Sequence, residues 1–375
     1  MSVRSVKDFK KIHPWCVSYS AQSLGRAFSG KDRQGLAHIF LCLCDHFEPL
    51  WGKADKTAGY ERVKRWHEKY PRIASQYHDA DGDVPRYTIF YPIEEYQTEY
   101  FEMLTDLCRG NYSEVEIHLH HDNDTADNLR RTILDFKKLL VEKYGLLCRD
   151  KLDGEVKYGF IHGNWALDNS RADGRGCGVN NEIDVLRETG CYADFTMPSA
   201  PDETQTTKIN SIYYAIDNPD KPNSHNWGKD AVKGRDNQQG LLMIQGPLML
   251  NWQNRKWGVF PRIENSEMSS GSQVSMDRAR LWIRANIHIK NAPEYIFIKL
   301  HTHGCQQRNS EYLLNGGLDK LFSYFRDYYN DGTNYRTHYV SAREMVNVIK
   351  AVEAGVTSPD IKKLKEYRLE KIGSK

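Results

Sequence analysis

The sequence predicts an α/β fold in which parallel strands alternate with helices around a closed or nearly closed β/α barrel. Three observations carry that prediction. Apolar runs rich in β-branched and aromatic residues recur about seven times, separated by helix-length periodic segments. Strands alternating with helices imply parallel pairing through right-handed crossovers. No glycine-rich nucleotide loop follows the first run, which argues against a dinucleotide-binding sheet and for a barrel of roughly 250 residues or more.

The first run is HIFLCLCDHF (His38–Phe47), in which Cys42 and Cys44 alternate as small core residues. RYTIFYPI (Arg86–Ile93), EVEIHLHH (Glu114–His121) and YGFIHGNWAL (Tyr158–Leu167) follow. YADFTMPS (Tyr192–Ser199), GLLMIQGPLML (Gly240–Leu250) and YIFIKLHTHG (Tyr295–Gly304) complete the series. Between them, YERVKRWHEKYPRIASQYH, EYQTEYFEMLTDLCRG and DTADNLRRTILDFKKLLVEKYG read as helices. The stretch from Ala200 to Gln239 is rich in Asp, Asn, Pro, Lys and Gln. It predicts a long ordered loop between the fifth and sixth strands, of the kind that shapes a substrate mouth. Residues 1–350 are thus expected to form one barrel domain with an insertion at about 200–239. Residues 351–375 follow as a basic C-terminal tail, helical and solvated.

Composition narrows the classes. With 52 basic against 50 acidic residues the net charge is +2, which supplies no electrostatic reason to expect nucleic acid or an anionic membrane as partner. The start, MSVRSVKDFKKIHPWCVSYS, lacks the apolar run of a signal peptide, and no stretch reaches the roughly 18 apolar residues of a membrane span. The 8 cysteines include no CxxC pair, so neither a zinc-ribbon nor a dithiol redox motif is present. A reduced, soluble, cytoplasmic protein is expected.

In a β/α barrel the active site is built at the C-terminal ends of the strands. The first run ends in Asp45, His46 and Glu48. The third ends in His118, His120, His121, Asp122 and Asp124. The fourth ends in His162, Asn164 and Trp165, and the seventh in Lys299, His301 and His303. Seven of the 14 histidines therefore lie at four strand ends, and the opposite ends carry no such cluster. Alternation puts His118 and His120 on the face of Glu116, and His301 and His303 on the face of Lys299. Imidazoles and carboxylates gathered this way suit a divalent metal, most simply zinc, with an open position for water.

Individual residues keep simpler readings beside that one. Asp124 precedes TADNLRR and serves equally as a helix N-cap. His121 and Asp122 read as loop residues, His162 as either structural or functional, and Trp165 as a wall against which substrate stacks. Lys299 is placed to pair with an acid inside the barrel.

The order of these motifs resembles the polysaccharide deacetylases of the NodB-homology type, whose fold is a distorted (β/α)7 TIM-like barrel. In that family the first strand ends in Thr-Phe-Asp-Asp-Gly, where the first aspartate is the general base and the second binds metal. LCDHF stands at that place, so the resemblance implies Asp45 as base and His46 as ligand. EIHLHHDND resembles the family's second motif and implies His120 and Asp124 as the other ligands, with His118 as the alternative. IKLHTHG resembles the late motif that supplies a histidine acid, implying His303, with His301 as the alternative. THYVSAREMVNVIKA resembles the closing strand and helix. IHGNWAL stands where the family has Arg-Pro-Pro-Tyr. Exchanging Asp and His between two ligand positions preserves a two-histidine, one-carboxylate set.

The resemblance implies metal-assisted removal of an N-acetyl or similar acyl group from an amino sugar or glycan precursor. The carbohydrate would be held by Trp165, Asn164, Gln205, Asn210 and His225. Two rivals stand beside it. One is another barrel metallohydrolase, of amidohydrolase or phosphoesterase type, using the His-x-His pairs. The other is a non-catalytic carbohydrate-binding protein on a decayed deacetylase barrel.

Overall fold

The computed structural model describes residues 15–29, 35–236 and 239–373. Most of the opening stretch MSVRSVKDFKKIHPWCVSYS (1–14), residues 30–34, part of the expected loop at 237–238, and the last two tail residues lie outside them. A mostly parallel sheet forms the centre, from β1 (Ala37–His46), β2 (Tyr87–Pro92), β3 (Ser113–Leu119) and β4 (Val156–His162) to β5 (Cys191–Asp194), β6 (Leu241–Ile244), β7 (Tyr295–Thr302) and β8 (Tyr335–Tyr339). The order across the sheet is β7-β1-β2-β3-β4-β5-β6. β8 shares one edge of β1 with β2, pairing with Ala37–Leu41 while β2 takes Leu43–His46. Beyond β6 come two antiparallel strands, Ile212–Ala215 and Lys229–Asp230. Among the described residues no ladder joins that end of the sheet to β7, so the sheet is open and a closed barrel is not shown. At its free edge β7 instead accepts single contacts: His301 N–H donates to the Ser266 carbonyl and Met268 N–H to that of His301.

Helix α1 (Trp15–Ser29) precedes β1. The crossovers are α2 (Lys56–Ala74), α3 (Thr98–Arg109), α4 (Ala126–Tyr144), α5 (Glu182–Glu188) and α6 (Met276–Ala285), then α7 (Gln307–Tyr312) running on into α8 (Leu318–Tyr328). Local chemistry sets several boundaries. The side chains of Asp55, Thr125 and Ser275 each accept a backbone N–H in the first turn of α2, α4 and α6. Ser341 and Glu344 form a capping box on α9 (Ala342–Glu353). Alternation along β1 divides the core. Ile39, Leu41 and Leu43 pack with Trp66 and Tyr87 toward the helices. Phe40, Cys42 and Cys44 pack with Phe297 on the inner side. Each such large apolar side chain contributes roughly 1.5–3 kcal/mol on burial.

Three expectations change. The run Gly240–Leu250 is not one strand: it breaks at Gly246–Pro247 and resumes as an antiparallel hairpin, Met249–Lys256 with Phe260–Glu264. Pro247 has no N–H for a ladder, and a Cβ on Gly246 would come within 2.5 Å of the Lys299 carbonyl oxygen. The Ala200–Gln239 stretch is not all loop, because Ile212–Ala215 pairs with β6. The tail is not a solvated helix. Ile361 and Leu364 of α10 (Ile361–Lys365) are buried, and Leu369–Lys371 pairs antiparallel with Cys148–Asp150. Asn347 holds it there, donating to the Lys365 and Leu369 carbonyls and accepting the Arg368 and Leu369 N–H groups. No helix among the described residues is long and apolar enough to cross a membrane.

Candidate metal centre

The C-terminal ends of β1, β3 and β7 converge on one mouth of the sheet. Ligand atoms of His46, Glu48 and His118, all buried, lie within 4.8 Å of one another. His118 Nδ1 meets the Ile161 carbonyl at 3.0 Å. A carbonyl only accepts, so the ring proton sits on Nδ1 and the Nε2 lone pair faces Glu48 Oε1 at 3.4 Å. His120 repeats the arrangement, with Nδ1 hydrogen-bonded to the Glu94 carboxylate and Nε2 3.3 Å from the same Glu48 oxygen. Among the described residues neither ring nitrogen of His46 has a hydrogen-bond partner. Imidazole and carboxylate lone pairs facing one another require a proton or a cation between them.

The electrostatics follow. Burial pushes His46 well down, reinforced by His303 and His118, and burial also lowers His118. Burial opposes charge on His120, but its bonds to Glu48 and Glu94 prevail and raise it to about 10. Burial likewise opposes ionisation of Glu48, yet hydrogen bonds to His118 and His120 hold its carboxyl below the usual range. The orphaned His46 nitrogens and the imidazole–carboxylate donor set fit a borderline divalent ion such as zinc. His120 would reach it with the Glu94 carboxylate behind, the usual carboxylate–histidine support.

Above this cluster opens a cavity of about 850 Å³ whose lining includes Glu48, Glu95, His120, Trp165, Arg171 and His303. The His303 ring stacks on His46 with centroids 4.6 Å apart, and Trp165 stands edge-on to both at 6.5 and 6.1 Å. Glu95 accepts the Leu50 N–H, and burial raises its carboxyl to about 7. His301 is one step deeper, its ring 6.2 Å from His46 and its Nδ1 3.5 Å from Ser266 Oγ.

The structure does not bring Asp45 to this mouth. It immediately precedes His46 and lies on the other face of β1, where Oδ1 accepts the Gly304 N–H at 2.6 Å. Burial pushes its carboxyl well up. A Cβ on Gly304 would sit 2.2 Å from Asp45 Oδ2 and 2.7 Å from Trp66, so only glycine allows the contact. Adjacent residues in an extended strand point to opposite faces, which separates Asp45 from His46. Asp124 is also elsewhere: its Oδ2 lies 2.9 Å from His121 Nδ1, and Thr125, not Asp124, caps α4. The set His46, His120 and Asp124 is therefore not assembled.

Most of the expected carbohydrate contacts are internal. Gln205 Oε1 accepts the Ser199 and Ala200 N–H groups. Asn210 braces Leu248 through both its N–H and carbonyl. His225 is fully buried, and its burial lowers it to about 4. Asn164 lines the cavity but donates its amide to the His121 and Gly176 carbonyls; Trp165 remains at the wall. Among the described residues Lys299 meets no acid directly, donating to the Phe195 and Met197 carbonyls at 2.5 and 2.8 Å.

A second group lies beside the first. His121, His162, Cys177 and Glu182 also present ligand atoms within 4.8 Å of one another. Sequence reasoning assigned no role to Glu94, Glu95, Cys177 or Glu182 and left Glu48 out of the ligand set. Glu48 and the Glu94–Glu95 pair stand at strand ends and were within reach of the same rule; Cys177 and Glu182 carry no sequence signal. No protein-family model matches the chain, and no curated protein matches it.

Proposed function

We propose that this protein is a metal-dependent hydrolase, built on a deacetylase-type β/α barrel left open beside β7, that removes an N-acetyl or similar acyl group from an amino sugar or glycan precursor. The observation that carries the reading is the His46–Glu48–His118 cluster at the floor of an open cavity walled by Trp165 and His303. A divalent ion held by those three residues, with His120 beside them, would polarise the acyl carbonyl and acidify water. Glu95, with its carboxyl raised to about 7, is the cavity group best matched to take a proton at neutral pH. His303, stacked on His46, would deliver one to the departing amine. Trp165 offers an indole edge and face to a pyranose ring. The buried cysteines form no disulfide, in keeping with a reducing, cytoplasmic setting and a soluble precursor as substrate.

The test is release of acetate from N-acetylated amino sugars and their nucleotide-linked forms by zinc-loaded protein. A His303→Ala variant should keep its metal and lose about 10²–10⁴-fold in rate. Zinc-loaded protein that cleaves none of these substrates would overturn the reading. A metal-loaded crystal with two ions about 3.5–4 Å apart at the cavity would favour phosphoesterase-type chemistry instead.

A further inference from the structure

The His121–His162–Cys177–Glu182 group lies beside the cavity cluster and shares no residue with it. His120 and His121 are adjacent, yet His120 joins Glu48 and Glu94 while His121 joins Asp124 and Glu182. Its four members come from four places: the end of β3, the end of β4, the loop after β4, and the first residue of α5. His162 and Glu182 are fully buried and Cys177 is 0% exposed.

The four donors surround one point, and ligation displaces the protons they now turn toward it. His121 directs Nδ1 to Asp124 Oδ2 at 2.9 Å, so its Nε2, 3.2 Å from Glu182 Oε1, points inward. Glu182 anchors its other oxygen on the Asp168 N–H at 2.7 Å and leaves Oε1 for the centre. Cys177 Sγ receives the Asn169 N–H at 3.2 Å and, as a thiol, donates to Glu182 Oε2 at 3.3 Å. Among the described residues His162 Nε2 has no hydrogen-bond partner although it is fully buried, and it lies 3.7 Å from Glu182 Oε1. The two imidazole separations from Glu182 Oε1, 3.2 and 3.7 Å, are close to the roughly 3.3–3.8 Å between ligand atoms of a tetrahedral zinc site, and all four ligand atoms lie within 4.8 Å of one another.

We infer that His121, His162, Cys177 and Glu182 form a second metal site, a closed four-ligand zinc site that is structural and separate from the cavity. A thiolate among imidazoles and a carboxylate selects a borderline ion over magnesium or calcium. Four protein ligands leave no open position for substrate. Binding releases the Cys177 thiol proton. Ligation through His162 Nε2 places the ring proton on Nδ1, so the Asn164 N–H now 3.2 Å from Nδ1 turns aside. The consequence lies in the loop from Gly163 to Asn181, which contributes Asn164, Trp165, Arg171 and Arg175 to the cavity wall. Little regular structure holds that loop, and the ion would tie it to β3, β4 and α5 at once.

Cobalt substitution tests this on the full-length protein, without any assay of hydrolysis. Cobalt-loaded wild type should show an intense near-ultraviolet thiolate-to-metal charge-transfer band, which the thiol-free cavity cluster cannot produce. Cys177→Ser should abolish that band and lower bound metal by one equivalent. Absence of the band in wild type, or its survival in Cys177→Ser, would overturn the site. Should Cys177→Ser fail to fold, trypsin digestion of wild type decides. Chelation should speed cleavage after Arg171 and Arg175 at least tenfold, and restored zinc should reverse it; cleavage indifferent to zinc refutes the site. Loss of hydrolase activity alone would leave both readouts untouched.

Discussion

His118 turns Nε2 to within 3.4 Å of Glu48 Oε1 while its Nδ1 is committed to the Ile161 carbonyl at 3.0 Å. Two buried acceptors brought face to face define where a cation belongs. Glu48→Gln removes the anionic half of that pair and should abolish tight zinc binding at the cavity. Glu94→Gln, which takes away only the support behind His120, should weaken it about 10–100-fold. Isothermal titration with zinc checks both. Equal affinity in wild type and Glu48→Gln would remove this cluster as the metal centre.

Asp45 gives a sharper contrast. The motif resemblance makes it the general base, so that Asp45→Asn should abolish hydrolysis. Its place between β1 and Trp66, bonded to the Gly304 N–H, and its raised carboxyl lead to the opposite expectation. An amide replaces a protonated carboxyl closely, so activity and unfolding midpoint should stay near wild type. Steady-state rates and thermal melts of this one variant decide between motif and geometry.

Glu116, two residues before His118 on β3, tests the electrostatics of the buried sheet face. Burial raises its carboxyl from 4.5 to about 8, while Tyr192 Oη and the Gly159 N–H donate to it at 2.6 and 2.5 Å. Between those values the native chain holds a proton that the unfolded chain releases, so stability contributed here falls as pH rises through that window. Glu116→Gln should therefore lose less stability between about pH 5 and pH 8 than wild type. Denaturant midpoints at the two pH values measure it, and parallel declines in both proteins would contradict the assignment.

Glu264 should prove essential to folding stability. Its carboxylate takes Arg278 Nε at 2.5 Å, Arg278 Nη2 at 2.8 Å and Trp282 Nε1 at 2.8 Å, all buried. Glu264→Ala leaves the guanidinium enclosed without its counter-charge, which costs about 3–5 kcal/mol. Urea unfolding should show that loss, and a change below 1 kcal/mol would mean water replaces the carboxylate.

Much of the architecture was legible in one dimension because periodicity is local. The runs at β1, β2, β3, β4 and β7 carry their β-branched and aromatic residues contiguously, and the intervening helices carry their caps beside them. The break at Gly246 was not legible, since it depends on the Lys299 carbonyl pressing against that backbone from another strand. The docked tail was missed for the same reason: Lys365 reads as a solvated charge until Asp79, Asp81 and Asp83 are placed around it.

By itself, the sequence determined an alternating α/β chain with its imidazoles and carboxylates gathered at strand ends, because strand polarity and side-chain period are properties of the local chain. Only the tertiary structure decided which of those groups meet. Whether His120 joins Glu48 or Asp124, whether Asp45 faces metal or Trp66, and whether Cys177 finds two histidines depend on sheet faces and loop paths. Those are set by packing between residues far apart in the chain, where no spacing rule reaches.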